Sequence, residues 1–155
     1  QIARIEPIIE KENTGLKVAF FAVSSDGSIT VRKPNDYVSS MIGLAGGIYS
    51  LNGYLPEEEN ALSTMKMQME DFYAAEKDAD ILIYNGTIEG ELTSVDELIQ
   101  KNSLFADFKA VKSGQVYTTG SNFYQQTSKT CDFIEDLNKV LTNDSDTDYE
   151  FLKKL

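Results

Sequence analysis

Three methionines at alternating positions are the first side chains whose spacing could do chemistry. Met65, Met67 and Met69 would offer three thioether sulfurs, and such soft ligands suit copper(I). Met69 also falls on the apolar side of a helix predicted over residues 68–77. Because methionine often fills gaps in hydrophobic cores, we favour core packing for this set and keep a copper-handling module as an alternative.

A run of acidic residues near the end of the chain has the spacing at which a calcium loop begins. Asp144, Asp146 and Asp148 alternate as its first ligands would. Tyr149, however, stands where the loop needs a turn-making glycine, and Leu155 stands where it needs a bidentate glutamate. The pattern therefore excludes an EF-hand and indicates a solvated acidic tail.

The composition leaves little material for enzyme chemistry. The chain has no histidine, so it lacks the commonest general base and the commonest metal ligand. Cys131 lies on the apolar stripe of a predicted helix, which favours a buried thiol over a nucleophile. We predict no catalytic residue, no metal ligand and no cofactor. The alternative is a small α/β enzyme that uses Asp26 or Asp80 with an external metal.

Charge and length narrow the class of partner. The formal net charge is −11, from 14 basic and 25 acidic side chains, and such a surface repels nucleic acid and anionic lipid. The 155 residues suffice for one domain. The residues 1–4 include neither an initiator methionine nor a signal sequence, so we interpret them as lying inside a longer chain.

Apolar runs and helical patterns alternate along the chain, which predicts an α/β fold. The expected architecture is a three-layer sandwich with a largely parallel central sheet flanked by helices. We predict loop structure over residues 48–63 and a frayed helical turn over residues 149–155. The main predicted strands cover 16–23, 29–32, 80–84 and 114–119, and the main helices cover 37–44, 68–77, 95–99 and 129–141.

Ligands of such sheets bind beyond the carboxyl ends of the strands, here in the loops that begin at Ser24, Tyr84 and about Gly120. An arginine can grip a carboxylate or phosphate with two hydrogen bonds, and a tyrosine combines a flat apolar face with a polar tip. The set suits a bulky, partly anionic ligand, with Lys33 as a substitute for Arg32. The candidate ligand-binding residues are Ser24, Ser25, Arg32, Tyr84, Asn85, Tyr124 and Gln125.

Three segments, in this order, resemble the second lobe of a known family. Residues 36–49 are similar to a helix that ends in Ala-Gly-Gly, and residues 70–85 to an acidic helix start followed by Asp and an apolar strand. Residues 108–117 resemble the pattern Ala-Val-Lys-x-Gly-x-Val-Tyr. The family is the class III, periplasmic-type solute-binding proteins of ABC importers for ferric siderophores, haem and cobalamin. The likeness covers about residues 16–141.

The resemblance implies a two-lobed protein that holds its solute between the lobes and is not an enzyme. Residues 1–13 then resemble the end of the helix that connects the lobes, and residues 14–155 the C-terminal ligand-binding lobe, with the N-terminal lobe absent from this chain. It further implies an ABC permease as partner, a monomer, and an extracytoplasmic location, in the periplasm or on the cell surface as a lipoprotein.

The resemblance also implies roles for individual residues. Glu70 matches the family's glutamate that pairs with arginines of the permease, although Gln68 stands where the family usually has serine. The absence of histidine separates the chain from zinc and manganese carriers of related fold. Haem stays among the solutes because Tyr124 or Tyr84 could be an axial ligand.

Overall fold

A computed structural model of the chain describes residues 2–34, 36–54, 64–120, 130–143 and 149–155. A 3-10 helix covers Ser103–Asp107. The strands are β1 Lys17–Val23, β2 Ile29–Arg32, β3 Ile48–Tyr49, β4 Thr64–Met67, β5 Ile81–Tyr84, β6 Val116–Thr119 and β7 Leu152–Lys154. The helices are α1 Ile2–Ile9, α2 Tyr37–Leu44, α3 Met69–Glu76, α4 Gly86–Glu89, α5 Val95–Lys101, α6 Lys109–Ser113 and α7 Thr130–Leu141.

The strands form one sheet in the order β4-β2-β1-β5-β6-β7, and β3 pairs with the beginning of β1. β5 is parallel to both β1 and β6, whereas β2 and β7 are antiparallel to β1 and β6. Because β4 is antiparallel to β2, it runs in the same direction as β1. Only β2 and β7 oppose the common direction of the described strands, which confirms the predicted, largely parallel sheet.

Helices cover both faces of this sheet. Side chains alternate between the faces along a strand, so Val18 and Phe21 of β1 point to opposite sides. The ring of Phe21 packs against Phe72 of α3, with centroids 4.9 Å apart. On the other side, Val18, Ile42 of α2 and Leu141 of α7 all converge on Gly47, each within 3.4 Å of where its Cβ would lie. The predicted three-layer sandwich is therefore confirmed.

Two predicted helix starts are confirmed by their caps. The carboxylate of Asp36 accepts hydrogen bonds from the amides of Val38 and Ser39 at 2.9 and 3.1 Å, which satisfies two donors that the first turn of α2 leaves open. Ser94 caps α5 in the same way, accepting from the amide of Glu97 at 3.2 Å. Local sequence therefore determines where these helices begin.

The predicted helical turn over residues 149–155 is wrong. Residues 152–154 form β7 at the edge of the sheet, antiparallel to β6. Asp136 of α7 holds the incoming chain, because its Oδ2 accepts hydrogen bonds from the amides of Phe151 and Leu152 at 2.6 and 3.2 Å. Both apolar side chains are buried, so a long-range contact overrides the local helical preference.

The predicted loop over residues 48–63 is wrong at its beginning, where residues 48–49 form β3 beside β1. Residues 55–63 lie outside the described part of the chain, as do Ser128, predicted to cap the last helix, and the acidic run of residues 144–148. Cys131 is buried on α7. Among the helices that the structure describes, none has both the length and the apolar character that a membrane span requires.

Candidate functional site

The carboxyl ends of β1, β5 and β6 meet at one edge of the sheet, which we call the carboxyl edge and define by Ser24, Ser25, Asn85, Gly86 and Gly120. The three strands are parallel neighbours, so the loops that follow them leave the sheet side by side. The structure thus brings the first two predicted loops, and the start of the third, to the same place.

Ser24 and Ser25 begin the tight turn between β1 and β2. The amide of Gly27 donates to the carbonyl of Ser24 at 2.9 Å, and the amide of Ser24 donates to the carbonyl of Ser28 at 2.8 Å. The hydroxyls of Ser24 and Thr30 lie 2.9 Å apart. Ser25 is exposed whereas Ser24 is partly buried, so of these two serines Ser25 is the one that a solute at the carboxyl edge can reach.

Asn85 turns the chain from β5 into α4. The backbone amide of Asn85 donates to the carbonyl of Phe21 at 2.6 Å. Its side-chain oxygen caps α4 by accepting from the backbone amide of Thr87 at 3.1 Å. The side chain is 3% exposed. Asn85 therefore shapes the carboxyl edge from within, by joining β5 to β1 and by starting α4.

Gly86 was missed as a site residue by the sequence analysis. Its amide donates to the hydroxyl of Thr119 at 3.0 Å, and a Cβ placed on it would lie 2.2 Å from the backbone oxygen of Thr119. Only glycine allows β5 and β6 to end this close together. The dipeptide Asn85-Gly86 directly after a buried strand was the available signal.

Tyr84 is placed in the core and not in an open cleft. Its side chain is fully buried, and its ring meets that of Phe21 edge-on with centroids 5.5 Å apart. Its hydroxyl accepts from the amide of Val23 at 3.4 Å. Burial raises the pKa of Tyr84, and the carboxylates of Glu89 and Glu97 act in the same direction. A solute therefore could not touch Tyr84 without displacing the packing around it.

Arg32 lies away from the other candidates. Because β2 is antiparallel to β1, Arg32 at the end of β2 lies at the sheet edge opposite the carboxyl edge. The guanidinium forms an ion pair with Asp36, with Nε 2.6 Å from Oδ2, and its Cζ lies 5.0 Å from the ring centroid of Tyr37. Arg32 is 7% exposed, so the structure gives it a packing role at the start of α2. Arg32 was expected to face a ligand, and its partner is instead Asp36.

The remaining candidates divide between the carboxyl edge and the part of the chain that is not described. Tyr124 and Gln125 lie outside the described residues. Glu70 is exposed in the first turn of α3. Because β4 runs in the direction of β1, α3 begins at the carboxyl edge. The side chain of Gln68 makes no capping hydrogen bond at the start of α3. The exposed carboxylate of Glu70 lies in the turn that follows.

The residues of the copper-handling alternative pack in or against the hydrophobic core, and the two aspartates of the enzyme alternative lie at opposite edges of the sheet. Met67 and Met69 are each 4% exposed and belong to the hydrophobic core. Asp26 lies in the turn at the carboxyl edge, whereas Asp80 precedes β5 at the opposite edge and accepts from the ammonium of Lys109 at 2.6 Å. In the described part of the chain, no group of three histidine, cysteine, aspartate or glutamate side chains could hold a metal ion.

A cavity of about 570 Å³ lies at the edge opposite the carboxyl edge, between α3 and α6. Lysines line it, but the ammonium of Lys112 lies 3.1 Å from Asp107, and Lys77 lies over the ring of Tyr73. The hydroxyl of Tyr73 donates to Asp107. Because these groups satisfy one another, size alone does not make this cavity the site, and we place the site where the loops converge.

Comparison with known proteins gives a consistent answer about the fold. No protein-family model matches the chain, and a search of curated proteins finds no match. Solved structures do match. An ABC transporter substrate-binding protein from Listeria monocytogenes is 18% identical, with a TM-score of 0.62 over 92% of this chain and 54% of that one. The haem-binding protein HutB of Vibrio cholerae is 14% identical, with a TM-score of 0.67 over 92% and 52%.

The iron-uptake protein PiaA from Streptococcus pneumoniae is 19% identical, with a TM-score of 0.59 over 91% of this chain and 51% of that one. The chain has the fold of one lobe of a periplasmic-type substrate-binding protein. This lobe spans about half the length of the structures that it matches. The predicted fold class is thereby confirmed by independent structures.

Proposed function

We propose that the lobe is the C-terminal half of the solute-binding component of an ABC importer, which holds an iron-siderophore complex, haem or a similar large solute between two lobes. The observation that carries the proposal is the carboxyl edge, where the exposed Ser25 and the Asn85 turn leave neighbouring parallel strands of this fold. Structures that match the lobe belong to binding proteins for siderophore, haem and iron uptake.

The proposal divides the chain as the sequence analysis did, with residues 1–13 as the end of a connecting helix and residues 14–155 as the lobe. Contacts of α1 support this division. The guanidinium of Arg4 lies 2.6 Å from the carboxylates of both Asp132 and Glu135 on α7. Such a pair of contacts would fix the direction in which the connecting helix leaves the lobe.

The proposed location is extracytoplasmic, in the periplasm or at the cell surface in a lipid-anchored full-length form, and the proposed state is a monomer. Solute capture then occurs outside the membrane, and an ABC permease receives the loaded protein. Glu70 is the proposed docking residue, because its carboxylate is already exposed on the surface of the lobe and can pair with a basic side chain of the permease.

Replacing the docking carboxylate tests delivery separately from capture. In the two-lobed protein, Glu70→Arg should leave solute affinity unchanged and reduce uptake into cells at least tenfold, because a like charge would face the permease. The matched control is Asp78→Arg, which makes the same charge change just beyond the other end of α3, where the side chain is exposed. Affinity and uptake of labelled solute are measured for both variants. Uptake that stays normal in Glu70→Arg would remove this residue from the docking role.

A further inference from the structure

Glu76, the last residue of α3, is a fully buried carboxyl group. Its Oε2 contacts the hydroxyl of Ser50, which follows β3. Its Oε1 is buried and has no hydrogen-bond partner among the described residues. An ionised carboxylate in such a place would lack most of the hydrogen bonds that a buried charge needs.

The hydrogen atoms at this contact can be counted. The Ser50 hydroxyl lies 3.0 Å from the carbonyl oxygen of Val18, in donor geometry, and also contacts Glu76. A hydroxyl has one hydrogen, and a backbone carbonyl can only accept. Unless this one hydrogen is shared between two acceptors, Glu76 must supply the second hydrogen, and a protonated Glu76 gives both contacts a full hydrogen bond.

Among the described residues, few charged or titratable groups act on Glu76. Lys17 at the beginning of β1 is the cation that acts on it. Tyr49 of β3 is the neighbouring phenol, and its hydroxyl donates to the carbonyl of Arg32. Asp36 also acts on Tyr49. Burial raises the pKa of Glu76 to about 7, against the opposing charge of Lys17.

We propose that Glu76 is a proton-controlled latch, which carries its proton in the folded lobe and thereby fastens the end of α3 to Ser50 and β3. Loss of this proton leaves a buried negative charge with one polar neighbour. The carboxylate then moves toward water, and the contact between α3 and β3 loosens. The latch is therefore closed in acidic surroundings and open in alkaline ones.

The direction of the pH effect follows from proton counting. An unperturbed glutamate has a pKa of 4.5, and burial raises the pKa of Glu76 to about 7. Between these values the folded lobe binds more protons than the unfolded chain, so its stability falls as pH rises. The latch contributes fully below the lower value and has lost its contribution above the upper one.

Hydrogen exchange and infrared spectroscopy on the full protein that contains this lobe test the latch. After correction for intrinsic rates, backbone amides of residues 48–54 and 69–77 should lose roughly tenfold or more protection between about pH 5.5 and about pH 8. Glu76→Gln keeps the shape without the charge and should remove this pH dependence. Asp78→Asn, an exposed control next to α3, should keep it.

The infrared spectrum of the wild-type protein reports on the proton of Glu76 directly, so this readout does not depend on whether a variant folds. The carbonyl stretch of a protonated carboxyl group should disappear from the wild-type spectrum as the pH is raised through about 7. Asp78→Asn should retain this band, and Glu76→Gln should lack it. Absence of the band from the wild type near pH 6, or an unchanged pH dependence of exchange in Glu76→Gln, would overturn the proposal.

Discussion

Arg32→Ala should destabilise the lobe by about 3–5 kcal/mol, the usual cost of removing one partner from a buried ion pair. The side chains of Arg32 and Asp36 are only 9% and 7% exposed, so water cannot replace the lost guanidinium. Asp36 would still cap α2, but with an uncompensated charge. Chemical denaturation of the wild type and the variant, followed by circular dichroism, measures the difference in the free energy of unfolding.

Lys66→Ala is the matched control for Arg32→Ala. Lys66 lies on β4 beside β2 and also faces an aspartate, but its side chain is 64% exposed and its nitrogen is 3.7 Å from Asp26. An ion pair of this kind contributes about 0–1 kcal/mol. If Arg32→Ala proves as mild as Lys66→Ala and weakens solute binding instead, Arg32 is a ligand residue as the sequence analysis predicted, and its assignment to packing is wrong.

Gly86→Ala should produce the second large loss, about 3 kcal/mol, at the upper end of the usual cost of overpacking. The added methyl group would lie 2.2 Å from the backbone oxygen of Thr119. Because the obstacle is backbone, β5 and β6 must separate where the two strands end. The same movement would displace Asn85 and α4, so solute affinity of the proposed two-lobed protein should fall together with stability.

Gly43→Ala separates this steric effect from the general effect of replacing glycine. Gly43 lies in α2, and a Cβ there would meet nothing within 4 Å. Alanine favours the helix over glycine by up to about 1 kcal/mol, so this variant should be slightly more stable than the wild type. Thermal unfolding of both variants decides the matter, and a Gly86→Ala protein of normal stability would contradict the close approach of the two strands.

The sequence was sufficient where structure depends on neighbouring residues. β1 and β5 are short apolar runs that are buried along nearly their whole length, and such runs identify central strands of a parallel sheet. Asp36 and Ser94 mark helix starts because a cap is a contact over two or three residues. The sandwich and the positions of its loops followed from these elements.

The sequence was insufficient where distant residues decide. β3 and β7 are two and three residues long, and they are strands only because β1 and β6 offer them an edge. Glu76 has the helical spacing of the buried Met69 and Phe72, but the groups that surround its carboxyl group come from β1 and from the residue after β3. These features depend on contacts between parts of the chain that no pattern within a short window contains.

Two candidate site residues could have been judged better from the sequence. Tyr84 ends an apolar run, and a strand that is buried on both faces sends every side chain into the core. Arg32 has Asp36 four residues further along, within reach of its long side chain. In both residues the polar group suggested a ligand, whereas the neighbouring residues already pointed to packing.

A titration of the proposed two-lobed protein, labelled with a dye at the carboxyl edge, shows whether a large solute binds there. Ser25→Cys places an exposed thiol there, while Cys131 is buried and does not compete for the dye. Ser113→Cys, labelled at the opposite edge, is the control. The two edges are about 20 Å apart, which is the length of β1. Ferric siderophores, haem and cobalamin are added to each labelled protein.

We expect saturable quenching of the dye at position 25 by one of these solutes at submicromolar concentration, with little change at position 113. Submicromolar affinity corresponds to a binding free energy of about −8 kcal/mol or stronger. No quenching by any solute, or equal quenching at both positions, would contradict the claim that this lobe holds a large solute at its carboxyl edge.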